Sequence, residues 1–101
     1  MRLVLLGTTG YHPNSRRHTS CFFLPEVGVV LDAGTGMFHV REHLATPHLD
    51  IFLSHVHLDH VIGLTYLFDV LHERAVERVT VHAEKEKLET IQKHLLTKLL
   101  F

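Results

Sequence analysis

The sequence predicts a mixed α/β or α+β domain in which helices cover a sheet. Three observations lead there. Short apolar runs bounded by glycine, proline or polar residues read as strands, and apolar stripes at helical spacing read as helices. Their order is β, β, β, α, β, α, β, α, a hairpin first and strand–helix alternation afterwards. The 101 residues show no internal repeat, low-complexity tract or linker, so residues 1–101 are one domain or part of one.

Arg2 to Leu6 is an apolar run ending at Gly7, which predicts a buried strand. The stretch Thr8 to Ser20 carries Gly10, Pro13, Asn14 and Ser15 and reads as a long loop. Cys21 to Leu24 and Val27 to Leu31 are β-prone runs separated by Pro25 and Glu26, a hairpin with Gly28 as a candidate bulge. Asp32-Ala33-Gly34-Thr35-Gly36 stops the second strand. A short helix is expected from about Met37 to Leu44, with Met37, Val40 and Leu44 on one face and Pro47 limiting it. Asp50 to Ser54 predicts a short buried strand that delivers the chain into His55. From His60 onward Val61, Leu64, Phe68 and Leu71 recur at helical spacing, widened by Leu67, so a helix should begin at or just after the histidines. Val79 to His82 is a further strand. Glu84 to about Leu99 is amphipathic, with Leu88, Ile91, Leu95 and Leu99 on one face and acids preceding lysines as the helix dipole favours.

Composition narrows the function classes. The chain is 46% hydrophobic and 21% charged, ordinary for a globular domain. A formal net charge of −1 without a polybasic run excludes the field of a dedicated nucleic-acid binder, so RNA or DNA would have to be held by a local patch. The apolar run in MRLVLLGTTG is too short for a secretory signal, and no stretch approaches the roughly 18 apolar residues of a membrane span. A cytoplasmic location without membrane contact is the expectation. Cys21 is the only cysteine, which rules out an intrachain disulfide and suits a reducing compartment; it reads as a small buried hydrophobe and not as a nucleophile.

Histidine is the unusual residue, at 11 copies. After Ser54, the string His55-Val56-His57-Leu58-Asp59-His60 packs four metal-ligating side chains into six residues where a buried strand meets a helix. With this chain's composition such an H-x-H-x-D-H string arises by chance in roughly half a per cent of cases. If the strand persists to His57, side chains two apart point the same way, so His55 and His57 can converge on one cation. Asp59 and His60, at the turn into the helix, can face a second. Imidazole and carboxylate suit two divalent ions, zinc first, with manganese or iron as alternatives, and the lack of a nearby cysteine argues against a structural thiolate site. Two close cations can activate a shared water for hydrolysis, and Asp59 would be the catalytic residue that orients that water and accepts its proton. His12, His18, His39, His43 and His48 have no motif context and read as surface or loop residues.

The string SHVHLDHVIGL, Ser54 to Leu64, resembles the signature of the metallo-β-lactamase superfamily, and VVLDAGTG, Val29 to Gly36, resembles its second hallmark. LLGTTG at the start, Arg16, Arg17 and Ser20 are similar to the N-terminal portion of the branch containing ribonuclease Z and related phosphodiesterases. The resemblance spans Met1 to about Leu71. It implies the N-terminal half of a four-layer αββα sandwich, with His55 and His57 on the first metal and Asp59 and His60 on the second. Asp32 matches the family's aspartate at the end of the hairpin strand, a support for the ligands or the loop, with plain turn capping the alternative. The family completes its site with a histidine, a bridging aspartate and a last histidine from later in the chain. His72, His82 and His94 lack their sequence context. Leu58 stands where the ribonuclease Z pattern has glycine, and Gly63-Leu64-Thr65-Tyr66 where it has Gly-Leu-Pro-Gly, which weakens transfer-RNA processing specifically.

The implied activity is metal-dependent hydrolysis of a phosphodiester or related ester, in a nucleic-acid or small-molecule substrate. Two alternatives stand beside it: a same-fold hydrolase of lactones, thioesters or β-lactams, and a non-catalytic half-domain serving as an interaction or assembly module. Half of a two-sheet sandwich would leave an apolar sheet face uncovered. The chain is therefore expected to lack a C-terminal half or to form a homo-oligomer across that face.

Overall fold

A computed structural model of the chain describes residues 1–10, 12–13, 17–54 and 58–93, with the backbone alone at 58, 59, 68 and 69. Five strands, β1 (Val4–Gly7), β2 (Cys21–Leu24), β3 (Val29–Leu31), β4 (His48–Phe52) and β5 (Arg78–His82), form one sheet in the order β1-β2-β3-β4-β5. β1, β2 and β3 pair antiparallel, whereas β3, β4 and β5 pair parallel. The change follows from connection length, because a tight turn closes a hairpin but a parallel neighbour needs a crossover. The turn at 25–28 is such a hairpin turn, and Gly28 occupies it with φ 66°, a left-handed conformation that glycine adopts without strain. It is a turn residue, not a bulge. The ladder irregularity lies instead between Leu5 and Gly7.

The two crossovers are helical. The first holds a 3-10 helix, Thr35–His43, two residues earlier at its start than the short helix expected from about Met37 to Leu44. Gly34 at its start supplies no side-chain cap, and Gly36, Phe38 and Val40 are weak α-helix formers. The second runs through α1 (Leu58–Val61), a 3-10 segment (Ile62–Tyr66) and α2 (Leu67–Leu71). It therefore begins inside the histidine cluster and is not one continuous helix. The interruption coincides with Gly63, whose N–H donates to the Ala33 carbonyl at 2.7 Å, and where a Cβ would press on the Ala33 and Gly34 carbonyls and on Met37. After β5, α3 (Lys85–Ile91) opens the final amphipathic segment; Leu95 and Leu99 lie outside the described residues.

Strand register explains the core. Val4, Phe23, Val30, Ile51 and Val81 are successive partners across all five strands and share one face. Cys21 and Leu49 join them, and Met37, Val40, Val61, Leu64, Val70 and Ile91 from the helical segments close over them. The helical stripe predicted from Val61 and Leu64 is thus buried as expected, while the side chain of Phe68 is outside the described set.

The opposite row is Leu5, Phe22, Leu31, Phe52 and His82. Among the described residues nothing covers it: Leu5 is 60% exposed, Phe52 44% and Leu31 38%. β1 is consequently a half-exposed edge strand, not the buried strand its composition suggested. At the polar end of this face, His82 Nε2 lies 2.9 Å from Asp50 Oδ1 and its ring stacks on Phe52 at 4.4 Å. The hydrogen bond from His82, more than the nearby charges of His82, His48 and Arg78, holds the Asp50 carboxyl below the usual carboxylate range. His48 opens β4 on this exposed face, a surface position in a strand and not in a loop. Among the described residues no helix is long and apolar enough to cross a membrane.

Cys21 is fully buried, and that burial, reinforced by the charge of Asp32, pushes its thiol up to about 12. The native protein should therefore resist iodoacetamide at pH 8 and react only on unfolding; rapid native labelling would contradict this. Because the folded thiol keeps its proton above its ordinary value of 9.0, its contribution to stability should be lost as pH rises from 9.0 towards about 12.

Candidate functional site

β1, β3, β4 and β5 run in one direction and end at one edge of the sheet, the usual location of ligand sites in open sheets with parallel strands. Asp32 leaves β3 there with φ 62°, a left-handed conformation that aspartate tolerates better than most residues. Its N–H donates to the Phe52 carbonyl at 2.8 Å, extending the β3–β4 ladder. The side chain then reaches across to the end of β4. Oδ1 accepts the Ser54 N–H at 2.8 Å and Oδ2 accepts the Ser54 hydroxyl at 2.6 Å. The same Oδ2 lies 3.3 Å from His60 Nδ1, and both side chains are largely buried.

One carboxylate thus touches the residue before the histidine motif and the residue that ends it. The turn that follows adds backbone support: the Ala33 N–H donates to the His60 carbonyl at 2.8 Å, and the Gly34 N–H to the Ser20 carbonyl at 2.9 Å. Thr35 N–H donates to Thr19 Oγ1 at 2.6 Å, tying the other side of the turn to the returning loop. Charge-assisted hydrogen bonds to a partly buried carboxylate are the stronger kind, so Ser54, the residue before the motif, is held by both its amide and its hydroxyl. Of the two roles open to Asp32, these contacts favour support of the loop over simple capping.

The middle of the motif is a different matter. His55 and His57 lie outside the described residues, and Asp59 is placed only by its backbone, in α1. His60 alone among the four predicted ligands has a described side chain. Among the described residues no group of three histidine, cysteine, aspartate or glutamate side chains is gathered as a metal site. His72 is an exposed turn residue beside Glu73, and His82 lies on the open sheet face with its ring on Phe52; His94 lies outside the described residues. Local sequence marks Ser54 only as the residue before His55. Its importance appears only when β3 and β4 are paired, because 22 residues separate it from Asp32.

Comparison with known proteins bears on this arrangement. Over 75 residues the chain is 33% identical to ribonuclease Z of Natronomonas pharaonis, covering 70% of this chain and 24% of that protein. It is 34% identical over 89 residues to ribonuclease Z of Haloarcula marismortui, covering 81% and 28%. With ribonuclease Z of Bradyrhizobium diazoefficiens it shares 32% over 95 residues, covering 88% and 32%. The resemblance to the metallo-β-lactamase superfamily is therefore shared with curated ribonuclease Z proteins, of whose length the chain spans about a quarter to a third. No protein-family model and no solved structure matches.

Replacing Asp32 with alanine removes both acceptors of Ser54 and leaves a left-handed residue without local stabilisation, a cost of about 2–3 kcal/mol. Asp32→Asn retains an acceptor and the backbone preference and should cost less than half as much. Urea unfolding measures both; equal effects of the two variants would refute the carboxylate's positioning role.

Proposed function

Starting from the similarity to ribonuclease Z proteins, we propose that this chain supplies the N-terminal part of a metal-dependent phosphodiesterase site acting on RNA. The observation that carries the reading is the Asp32 carboxylate, which holds Ser54 and faces His60 and so brackets the 55–60 motif. A carboxylate against the outer nitrogen of a ligating histidine fixes its tautomer and ring orientation. The 3.3 Å approach of Asp32 Oδ2 to His60 Nδ1 fits that arrangement and leaves Nε2 as the ligating nitrogen.

In this reading His55 and His57 hold one divalent ion, and Asp59 and His60 hold a second, zinc being the natural choice with manganese or iron compatible. The ions supply Lewis acidity and lower the pKa of water. Asp59 orients the attacking water and takes up its proton, while Asp32 and Ser54 keep the segment from turning away. The ribonuclease Z relatives favour a phosphodiester over a lactone, thioester or β-lactam. A lone, buried thiol suits a reducing compartment, and we place the protein in the cytoplasm.

Two protein ligands per ion fall short of the three typical of catalytic zinc. The others must come from further polypeptide or from a second copy, and the greater length of the relatives and the uncovered sheet face are both in keeping with this. Those two facts also favour a second reading, in which the 101 residues alone are an assembly module without activity.

Metal analysis separates the readings: about two ions retained per chain after gel filtration indicates a site completed by self-association, and none indicates the inactive module. In the catalytically complete protein, His57→Ala and Asp59→Ala should each lower cleavage of an RNA phosphodiester by about 10²- to 10⁴-fold. Turnover undiminished by either change would refute the assignment of the motif.

A further inference from the structure

The turn that begins at Asp32 commits each of its amides in succession. Asp32 N–H donates to the Phe52 carbonyl and Ala33 N–H to the His60 carbonyl, both at 2.8 Å, while Gly34 N–H donates to the Ser20 carbonyl at 2.9 Å and Thr35 N–H to Thr19 Oγ1 at 2.6 Å. The first two bonds hold the turn on the side of the motif, the last two on the side of the returning loop. On that second side the contact is reciprocal, because the Thr19 N–H and hydroxyl donate back to Thr35 Oγ1 at 2.9 and 3.2 Å. Among the described residues Thr19 is the only polar side chain with no exposure at all. A hydroxyl taken wholly out of water is costly unless paired, and this one is paired to the turn.

Thr19 is itself held from behind. The preceding His18 carbonyl accepts the N–H groups of Thr8 and Thr9 at 2.9 and 3.0 Å, and the His18 ring packs edge-on against Phe38 at 4.9 Å and His39 at 5.3 Å. His18 is thus a packed residue, not the surface residue that its lack of motif context suggested. A Cβ at Gly7 would overlap the Thr19 carbonyl, so the end of β1 lies directly against the loop. Asp32 needs a turn fixed in this way. At φ 62° it occupies the left-handed region, where a residue other than glycine stays only when its surroundings hold it. With the loop side of the turn released, relaxation of Asp32 towards an ordinary φ would withdraw its carboxylate from Ser54 and from His60.

We propose that Thr19 and Thr35 are positioning residues for the ends of the 54–60 segment: their reciprocal hydrogen bonds keep Asp32 in its left-handed conformation and, through its carboxylate, fix Ser54 and the ring of His60. A pair that only stitched the loop to the turn would stabilise the fold as a whole and leave Ser54 no more sensitive than the core. The consequence for turnover rests on the reading above that the segment serves a metal-dependent site; the consequence for Ser54 does not.

Amide hydrogen exchange of the 101-residue chain, followed residue by residue by NMR, tests this without metal. Thr35→Val keeps the shape of the side chain and removes the acceptor of two buried donors of Thr19. Ser54 should then lose protection by about tenfold or more, while Val30 and Ile51 in the core change by less than about threefold. Thr35→Ser keeps the hydroxyl and should exchange like the parent. In combination with Asp32→Ala, Thr35→Val should expose Ser54 no further than Asp32→Ala does alone, because both act through one carboxylate. Additive losses, equal losses at Ser54, Val30 and Ile51, or no loss at Ser54 would each overturn the proposal. The parent chain supplies a check that needs no variant: the Thr19 and Thr35 amides must exchange no faster than that of Ser54, since a clasp that opens more readily than the contact it supports cannot hold it. In the catalytically complete protein, Thr35→Val should lower kcat for an RNA phosphodiester about tenfold with KM unchanged, and Thr35→Ser should restore it. Unaltered exchange at Ser54 sinks the clasp whatever the activity, whereas the expected exchange in a protein whose parent does not hydrolyse RNA sinks only the enzymatic reading.

Discussion

The carboxylate of Asp32 is the interaction on which the arrangement of the site depends. It satisfies two donors of Ser54 and lies 3.3 Å from His60 Nδ1, so one side chain meets both the residue before the motif and the residue that ends it. Around it, the Ala33, Gly34 and Gly63 backbones form a small hydrogen-bonded hub joining the hairpin, the returning loop and the helix that follows the motif. Most of these groups are buried or nearly so, where polar atoms are costly unless paired, so these hydrogen bonds are expensive to break.

Much of this was legible in the residues. The order of elements follows the apolar runs and their punctuation, and both the hairpin over Cys21 to Leu31 and the approximate positions of β4 and β5 are where those patterns put them. What local pattern could not give was non-local. Whether Arg2 to Leu6 was buried depended on having a neighbour on each side, and β1 has one only on β2. The break in the helix after the motif came from Gly63 meeting the 33–34 turn, a contact between segments about thirty residues apart. The histidine cluster announced itself through spacing. His18 and His39 did not, because they come together only after the loop folds back on the 3-10 helix.

The sheet has two unlike faces. One is closed by helical segments around Phe23, Val30 and Ile51, and the other presents Leu5, Leu31 and Phe52 to the surroundings. Exposed apolar area of this kind is typical of surfaces that meet further protein, which accords with relatives three to four times longer than the matched region. The polar trio of His48, Asp50 and His82 interrupts that face at one end and sets a boundary to its apolar part.

A last consequence concerns how β3 and β4 find their alignment. Both strands are apolar on successive residues, Val30 and Leu31 opposite Ile51 and Phe52, so greasiness alone discriminates poorly between the observed pairing and one shifted by a single position. A slip would carry Asp32 to the wrong side of the sheet, away from Ser54, and strand its charge. The polar contact therefore discriminates where greasiness does not: only the observed alignment brings Asp32 to the Ser54 amide and hydroxyl at the end of β4.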